Sequence, residues 1–280
     1  MIIDKLIKKL TVSDLAYRAY IIKNRCLYRK YLGENFICNI CNTHLKNFIP
    51  LEAIANGIFM QDLLIKRIRY SISDYETLNL ENFLCPICGS QDKARLYDLF
   101  LSQEFGKEII GNNSRFFVHF APEGGLPKKI KKYDFLKYQT ADLLRDDVDE
   151  KQDLTNLSYQ KNSVDYFICS HILEHIPEDD LAISELYRVL KPGGWGVLTV
   201  PILVSLAHTY EDSSVKTEKQ RLKHFGQADH VRVYSKKDFI KKLKKIGFIV
   251  AEFTKKDFEN NAFKKHGISE ESILYIVTKK

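Results

Sequence analysis

Two cysteine pairs, Cys38-Asn39-Ile40-Cys41 and Cys85-Pro86-Ile87-Cys88, have the spacing of metal ligands. A CxxC turn aims two thiolates at one point, and two such turns supply the four sulfurs of a tetrahedral structural zinc site. His44, three residues past Cys41, is read as a bystander, and Cys26 and Cys169 as packing residues. A second concentration of reactive groups is "HFGQADHVRVY", which holds His224, Asp229, His230, Arg232 and Tyr234. An imidazole beside a carboxylate suits proton abstraction. His230 is therefore the candidate general base with Asp229 as its partner, although His230 can equally hold the loop by bonding a backbone carbonyl. Arg232 is the candidate binder of an acidic or phosphorylated acceptor, with Tyr234 and His224 beside it. His171 and His175 compete for the role of base.

These side chains need elements to position them. A chain of 280 residues with 45% hydrophobic content supports one large domain and a small appendage. Residues 1–32 read as basic amphipathic helices that pack on the protein or lie on an anionic membrane surface. Residues 33–113 hold the cysteine pairs, and the long interval between the pairs carries an apolar insertion at 50–82. From 114 to 280, strands alternate with helices, which predicts a parallel α/β sheet covered on both faces. The expected strands are 116–120, one ending at Asp142, "VDYFICS" and "WGVLTVP". Helices are expected at about 126–136 and over "PEDDLAISELYRVL". After an irregular segment at 202–234, Ser235 and Asp238 open a helix that Gly247 ends, and two antiparallel strands follow. The lysines of "SKKDFIKKLKKIGF" leave Phe239, Ile240, Leu243 and Ile246 on one face, so a net charge of +7 reads as solvated surface rather than a nucleic-acid patch.

The stretch "VDYFICSHILEHIPEDDLAISELYRVLKPGGWGVLTVP" resembles the fourth strand, following helix and fifth strand of class I S-adenosylmethionine-dependent methyltransferases. The closest resemblance is to a methyltransferase type 11-like subgroup in which a four-cysteine zinc module with "CPxCGS" precedes an "HFAPE" turn. Residues 85–90 read CPICGS and 119–123 read HFAPE. The resemblance implies a Rossmann-like seven-stranded sheet over 114–280 and S-adenosylmethionine as cofactor. It implies cofactor contacts from Phe120, Ala121, Pro122, Glu123 and Gly124, with Glu123 at the methionine ammonium or a water beside it and the glycines admitting the ligand to the backbone. It further implies Asp142 on the ribose hydroxyls, Asp153 at the adenine amino group, and Ser170 and His171 at the cleft. For Asp153, ordinary Asx-turn chemistry is the rival reading.

The leading functional expectation is a cytoplasmic small-molecule O-methyltransferase acting on a sugar or other polar glycan precursor. RNA methylation is the second reading, opposed by the lack of aromatic residues interleaved with the basic runs. A zinc-stabilised, non-catalytic partner-binding protein is the third. The cytoplasmic expectation rests on the absence of a signal peptide and of an apolar run near the roughly 20 residues that span a bilayer.

Overall fold

The computed structural model describes residues 28–55, 69–106 and 114–280. Strands β3 (Arg115–Phe120) and β6 (Val164–Ser170) carry apolar residues on both faces, a pattern that requires cover on both sides. They lie side by side at the centre of a seven-stranded sheet with β4 (Leu136–Asp142), β5 (Glu150–Lys151), β7 (Leu190–Thr199), β10 (Ile249–Phe253) and β11 (Leu274–Thr278). The spatial order is β10-β11-β7-β6-β3-β4-β5. Numbered along the chain within this sheet, and read from the β5 edge, that order is 3-2-1-4-5-7-6. Strand β11 runs antiparallel to both neighbours, as expected for the final pair. The order reverses between β3 and β6, and open α/β sheets bind ligands outside the carboxyl ends of the strands at that point.

One face of the sheet is covered by helix α2 (Asp92–Phe105), which follows the second cysteine pair. Its Phe100 meets Trp195 edge-on at 5.1 Å, and its Phe105 packs on Phe117 and Trp195. The other face is covered by α4 (Asp179–Val189) and α6 (Lys236–Ile246), which bury Ile183, Leu186, Phe239 and Leu243 with Phe167 and Leu198. Helix α2, grouped by sequence with the cysteine module, is thus part of the sheet's own core.

The first cysteine pair sits at the turn of a hairpin, β1 (Leu32–Cys38) with β2 (Thr43–Leu45), and a short helix α1 (Leu51–Ala55) follows. Buried Arg95 of α2 welds this module to the rest of the chain. It donates to the carbonyls of Ser90, Asn82, His266 and Gly267, and its guanidinium lies 3.9 Å from the centre of the Phe48 ring.

Strand β5 has only two residues, too short to leave a periodic signal, and no strand is expected there from the sequence. Two expectations are corrected in detail. Helix α3 spans Leu126–Ile130 rather than reaching 136, because the chain turns at 131–132 toward β4. The segment 202–234 is not irregular throughout: it holds β8 (Tyr210–Glu211), α5 (Glu218–Phe225) and β9 (Arg232–Val233) around a small core of Leu203, Val215, Phe225 and Val233. The basic segment expected at 1–32 lies outside the described residues up to position 27, as do Cys26 and residues 56–68 of the apolar insertion. Among the described residues no helix is long and apolar enough to cross a membrane.

Candidate functional site

The two CxxC turns converge. Cys38 Sγ lies 3.7 Å from Cys88 Sγ, and Cys41 Sγ lies 3.8 Å from Cys85 Sγ. Four thiolates at about 2.3 Å from a Zn²⁺ ion stand about 3.8 Å apart, so the sulfurs have the separations of a tetrahedral site. A disulfide would need about 2.05 Å, and all four cysteines are free. His44 turns outward to Glu34 at 2.6 Å.

The turn after β3 leans on this cluster. Gly124 has φ +58°, and a Cβ there would stand 2.8 Å from the carbonyl oxygen of Gly89. A Cβ on Gly125 would stand 2.9 Å from Cys88 Cβ, and the Gly125 N–H donates to Ser90 Oγ at 3.2 Å. The glycines therefore allow close packing of the turn on the second cysteine knuckle, beside the ligand approach expected of them. Lys129 of α3 adds a strap, donating to the Asn39 carbonyl in the first knuckle and to Asp98 of α2, each at 2.6 Å.

A cavity opens at the switch point, lined by Lys93, Tyr97, His119, Ala121, Glu123 and Ser170. Ala121 (φ 45°) and His171 (φ 55°) end the two central strands in the left-handed region, which side chains other than glycine rarely occupy. Strain of this kind persists where surrounding structure over-determines it, commonly at ligand sites. Glu123 pairs with Lys93 at 3.0 Å. Desolvation, the largest single influence, works against the charge on Glu123, but the charge and hydrogen bond of Lys93 together with nearby His171 and His119 hold the carboxyl below its usual range. Tyr97 places its hydroxyl 2.8 Å from both Ser170 Oγ and Thr199 Oγ1, tying α2 across the carboxyl ends of β6 and β7. Buried His119 bonds Tyr138 at 2.8 Å, and burial pushes its pKa down to about 3. Lys93 and Tyr97 were missed by sequence reasoning, although their i, i+4 spacing directly after CPICGSQD marks one helix face.

The remaining cofactor candidates fall on the same edge of the sheet. Asp142 ends β4 and accepts through Oδ1 from the N–H groups of Leu144 and Arg145, at 2.7 and 2.9 Å. Arg145 reaches across to the Pro122 carbonyl and joins the two loops. Leu143 and Leu144, both more than half exposed, flank Asp142. Asp153 follows β5 and accepts from Thr155 N–H and Oγ1, which is the Asx-turn arrangement of the rival reading. The Phe120 side chain is buried in the core.

The acceptor-side expectations need correction. Arg232 is 3% exposed and its guanidinium is consumed internally, by Glu211 Oε1 at 2.5 Å and by the carbonyls of Leu173, Ile176 and Pro177. Tyr234 is buried with its hydroxyl on Asp179 Oδ2 at 2.6 Å. Neither can receive an acceptor; both brace the start of α4. His224 stacks on Tyr210 and bonds its hydroxyl at 2.7 Å, inside the packing of the 202–234 segment. His230 is 3% exposed, and burial lowers its pKa to about 4. Asp229 does not orient it: the carboxylate lies 3.3 Å from His175 Nδ1 instead. His171, just past the end of β6 and next to cavity-lining Ser170, stands 3.5 Å from Glu174 and is partly exposed, as is His175.

The family model of the methyltransferase domain (Methyltransf_11) matches residues 114–198. Among solved structures, the chain is similar to a SAM-dependent methyltransferase from Archaeoglobus fulgidus, at 14% identity over 68% of this chain and 95% of that one, TM-score 0.42. It is similar to Haemonchus contortus phosphoethanolamine N-methyltransferase 2 in complex with phosphomonomethylethanolamine and S-adenosylhomocysteine, at 18% identity over 69% of this chain and 53% of that one, TM-score 0.43. The YcgJ protein from Bacillus subtilis matches at 12% identity over 66% of this chain and 99% of that one, TM-score 0.40. No curated protein matches the chain with significance. The family model covers β3 to β7 of a sheet ordered 3-2-1-4-5-7-6, so residues 114–198 are similar to a methyltransferase domain and the sheet has the Rossmann-like fold of such domains.

Proposed function

We propose that this chain transfers the methyl group of S-adenosylmethionine to a hydroxyl of a sugar or other small polar acceptor, and that the cysteine module, holding a structural zinc ion, forms one wall of the cofactor cleft. The observation that carries the reading is the Lys93–Glu123 pair at the strained β3 turn. The methionine end of the cofactor is a zwitterion, and this pair offers each of its charges an opposite partner: Lys93 for the carboxylate, Glu123 for the ammonium. The cavity volume is only about 20 Å³, so the ligand exchanges one ion pair for two as Lys93 and Glu123 part. In this reading Asp142 accepts from the ribose hydroxyls through Oδ2, its Oδ1 holding the N–H groups of Leu144 and Arg145, and exposed Leu143 and Leu144 offer apolar surface to the adenine. Asp153, whose Oδ1 holds a turn as that of Asp142 does, is the candidate for the adenine amino group.

On the acceptor side the base moves from buried His230 to His171, which follows β6 next to Ser170. The acceptor is proposed to enter beneath the lid at 202–234. Methyl transfer is an in-line displacement: the acceptor oxygen forms a bond to the methyl carbon as the carbon–sulfur bond breaks, and the acceptor proton passes to the base. Membership in glycan-precursor modification is the finer part of this reading and rests on the resemblance at CPICGS and HFAPE. Calorimetric titration with S-adenosylmethionine and S-adenosylhomocysteine tests it. Micromolar binding that Asp142→Ala weakens supports the cleft as drawn, and folded wild-type protein that binds neither compound refutes it.

A further inference from the structure

Beside the acceptor end of the cleft lies a group of side chains that neither the zinc module nor the cofactor reading uses. Glu174, His175 and His230 bring one ligand atom each within 4.8 Å of one another. Glu174 is 1% exposed and its Oε2 is buried with no hydrogen-bond partner. An unpartnered buried carboxylate oxygen carries a desolvation penalty of several kcal/mol or is completed by something bound there. The two imidazoles meet edge to face at 4.7 Å. The local fold fixes all three. The short 3₁₀ turn Leu173–His175 presents Glu174 and His175 from the end of β6, and the Val231 N–H donates to the Glu174 carbonyl at 2.9 Å, which pins His230 opposite them.

We propose that Glu174, His175 and His230 bind a divalent transition-metal ion, in a second metal site separate from the four cysteines. Two imidazoles and one carboxylate suit Mn²⁺, Co²⁺, Fe²⁺ or Zn²⁺, whereas Mg²⁺ and Ca²⁺ prefer all-oxygen sets. A ligating imidazole is usually oriented by a carboxylate on its other ring nitrogen, and Asp229, 3.3 Å from His175 Nδ1, occupies that position. Three protein ligands leave coordination positions for the acceptor. Resting on the methyltransferase reading, the substrate class follows: an acceptor that presents a hydroxyl, or a vicinal pair of hydroxyls, to the ion. This also gives Asp229 and His230 a joint role that a simple base–orienter pair does not.

Protein with its cysteine site filled by zinc is titrated with Co²⁺ by calorimetry and visible absorption, with total metal counted after desalting. The wild type is expected to take up one further equivalent of Co²⁺ with the weak d–d spectrum of nitrogen and oxygen ligands. His175→Ala and Glu174→Gln are expected to lower that affinity at least about tenfold while retaining the zinc equivalent and the wild-type circular dichroism. His175 is one-third exposed, so His175→Ala keeps the test open if Glu174→Gln does not fold. No second equivalent in the wild type, or undiminished uptake by folded His175→Ala, overturns the site. Because metal uptake is read without cofactor or acceptor, its failure is distinct from a failure to bind S-adenosylhomocysteine.

Discussion

Replacing Gly124 with alanine separates two physical effects that the structure places at one residue. Gly124 has φ +58°, which costs an alanine about 1–2 kcal/mol. Its new Cβ also stands 2.8 Å from the backbone carbonyl of Gly89, which cannot rotate away as a side-chain tip can. Forcing such a contact adds about 1–3 kcal/mol, for a total of roughly 2–5 kcal/mol. Gly193 supplies the control: its φ is +76°, yet a Cβ there has nothing within 4 Å. Gly193→Ala is expected to lose only the dihedral part, about 1–2 kcal/mol in urea unfolding, and to keep wild-type affinity for S-adenosylhomocysteine. Gly124→Ala pushes the cofactor turn off the cysteine knuckle. It should lose more stability and bind at least about tenfold more weakly, a further 1.4 kcal/mol. Equal stability of the two variants, with unchanged binding by Gly124→Ala, would refute the claim that the knuckle holds the turn.

Two other substitutions test the assignment of buried groups. His119 has a folded pKa of about 3, below the ordinary 6.5, so its contribution is full above pH 6.5 and is lost as pH falls toward 3. Between pH 7.5 and 5 this amounts to about 2 kcal/mol. His119→Gln, which can still bond Tyr138, should remove that part of the acid dependence in urea unfolding measured at both pH values. Arg232→Met removes the donors held by Glu211 and three carbonyls, and breaking such a buried set costs about 3–5 kcal/mol. The loss should appear in the melting curve. A stable variant with weakened acceptor affinity would return Arg232 to substrate binding.

What could be read from the sequence was local. The cysteine pairs declare themselves because two residues between thiolates already set the turn, and the stretch from Val164 to Pro201 carries its strand, helix and stop signals in order. The sheet class followed from the alternation of such segments. Two-residue β5 left no period to detect, and its neighbour Asp153 looks the same whether it caps a turn or faces a ligand. Lys93 and Tyr97 were hidden for another reason: their place at the cleft depends on α2 docking over the switch point, which is a tertiary event. The same holds for "HFGQADHVRVY". Adjacency suggested an Asp229–His230 pair, but the chain turns at Val231, bonded to the Glu174 carbonyl, and sends Asp229 to His175 while Arg232 and Tyr234 go inward. The glycines after β3 read as a close-approach turn for a ligand, and the structure adds the second cysteine knuckle as a neighbour that also requires them.

The central claim, that Lys93 and Glu123 receive the amino-acid end of S-adenosylmethionine, is tested most directly by comparing two ligands on one variant. Isothermal titration of wild type and Lys93→Met is carried out with S-adenosylhomocysteine and with 5′-methylthioadenosine, which lacks the amino-acid group. A charge-assisted contact of about 1.5–3 kcal/mol predicts that Lys93→Met weakens S-adenosylhomocysteine by roughly 10- to 150-fold and leaves 5′-methylthioadenosine unchanged. Equal loss for both ligands, or loss for neither, would contradict the account.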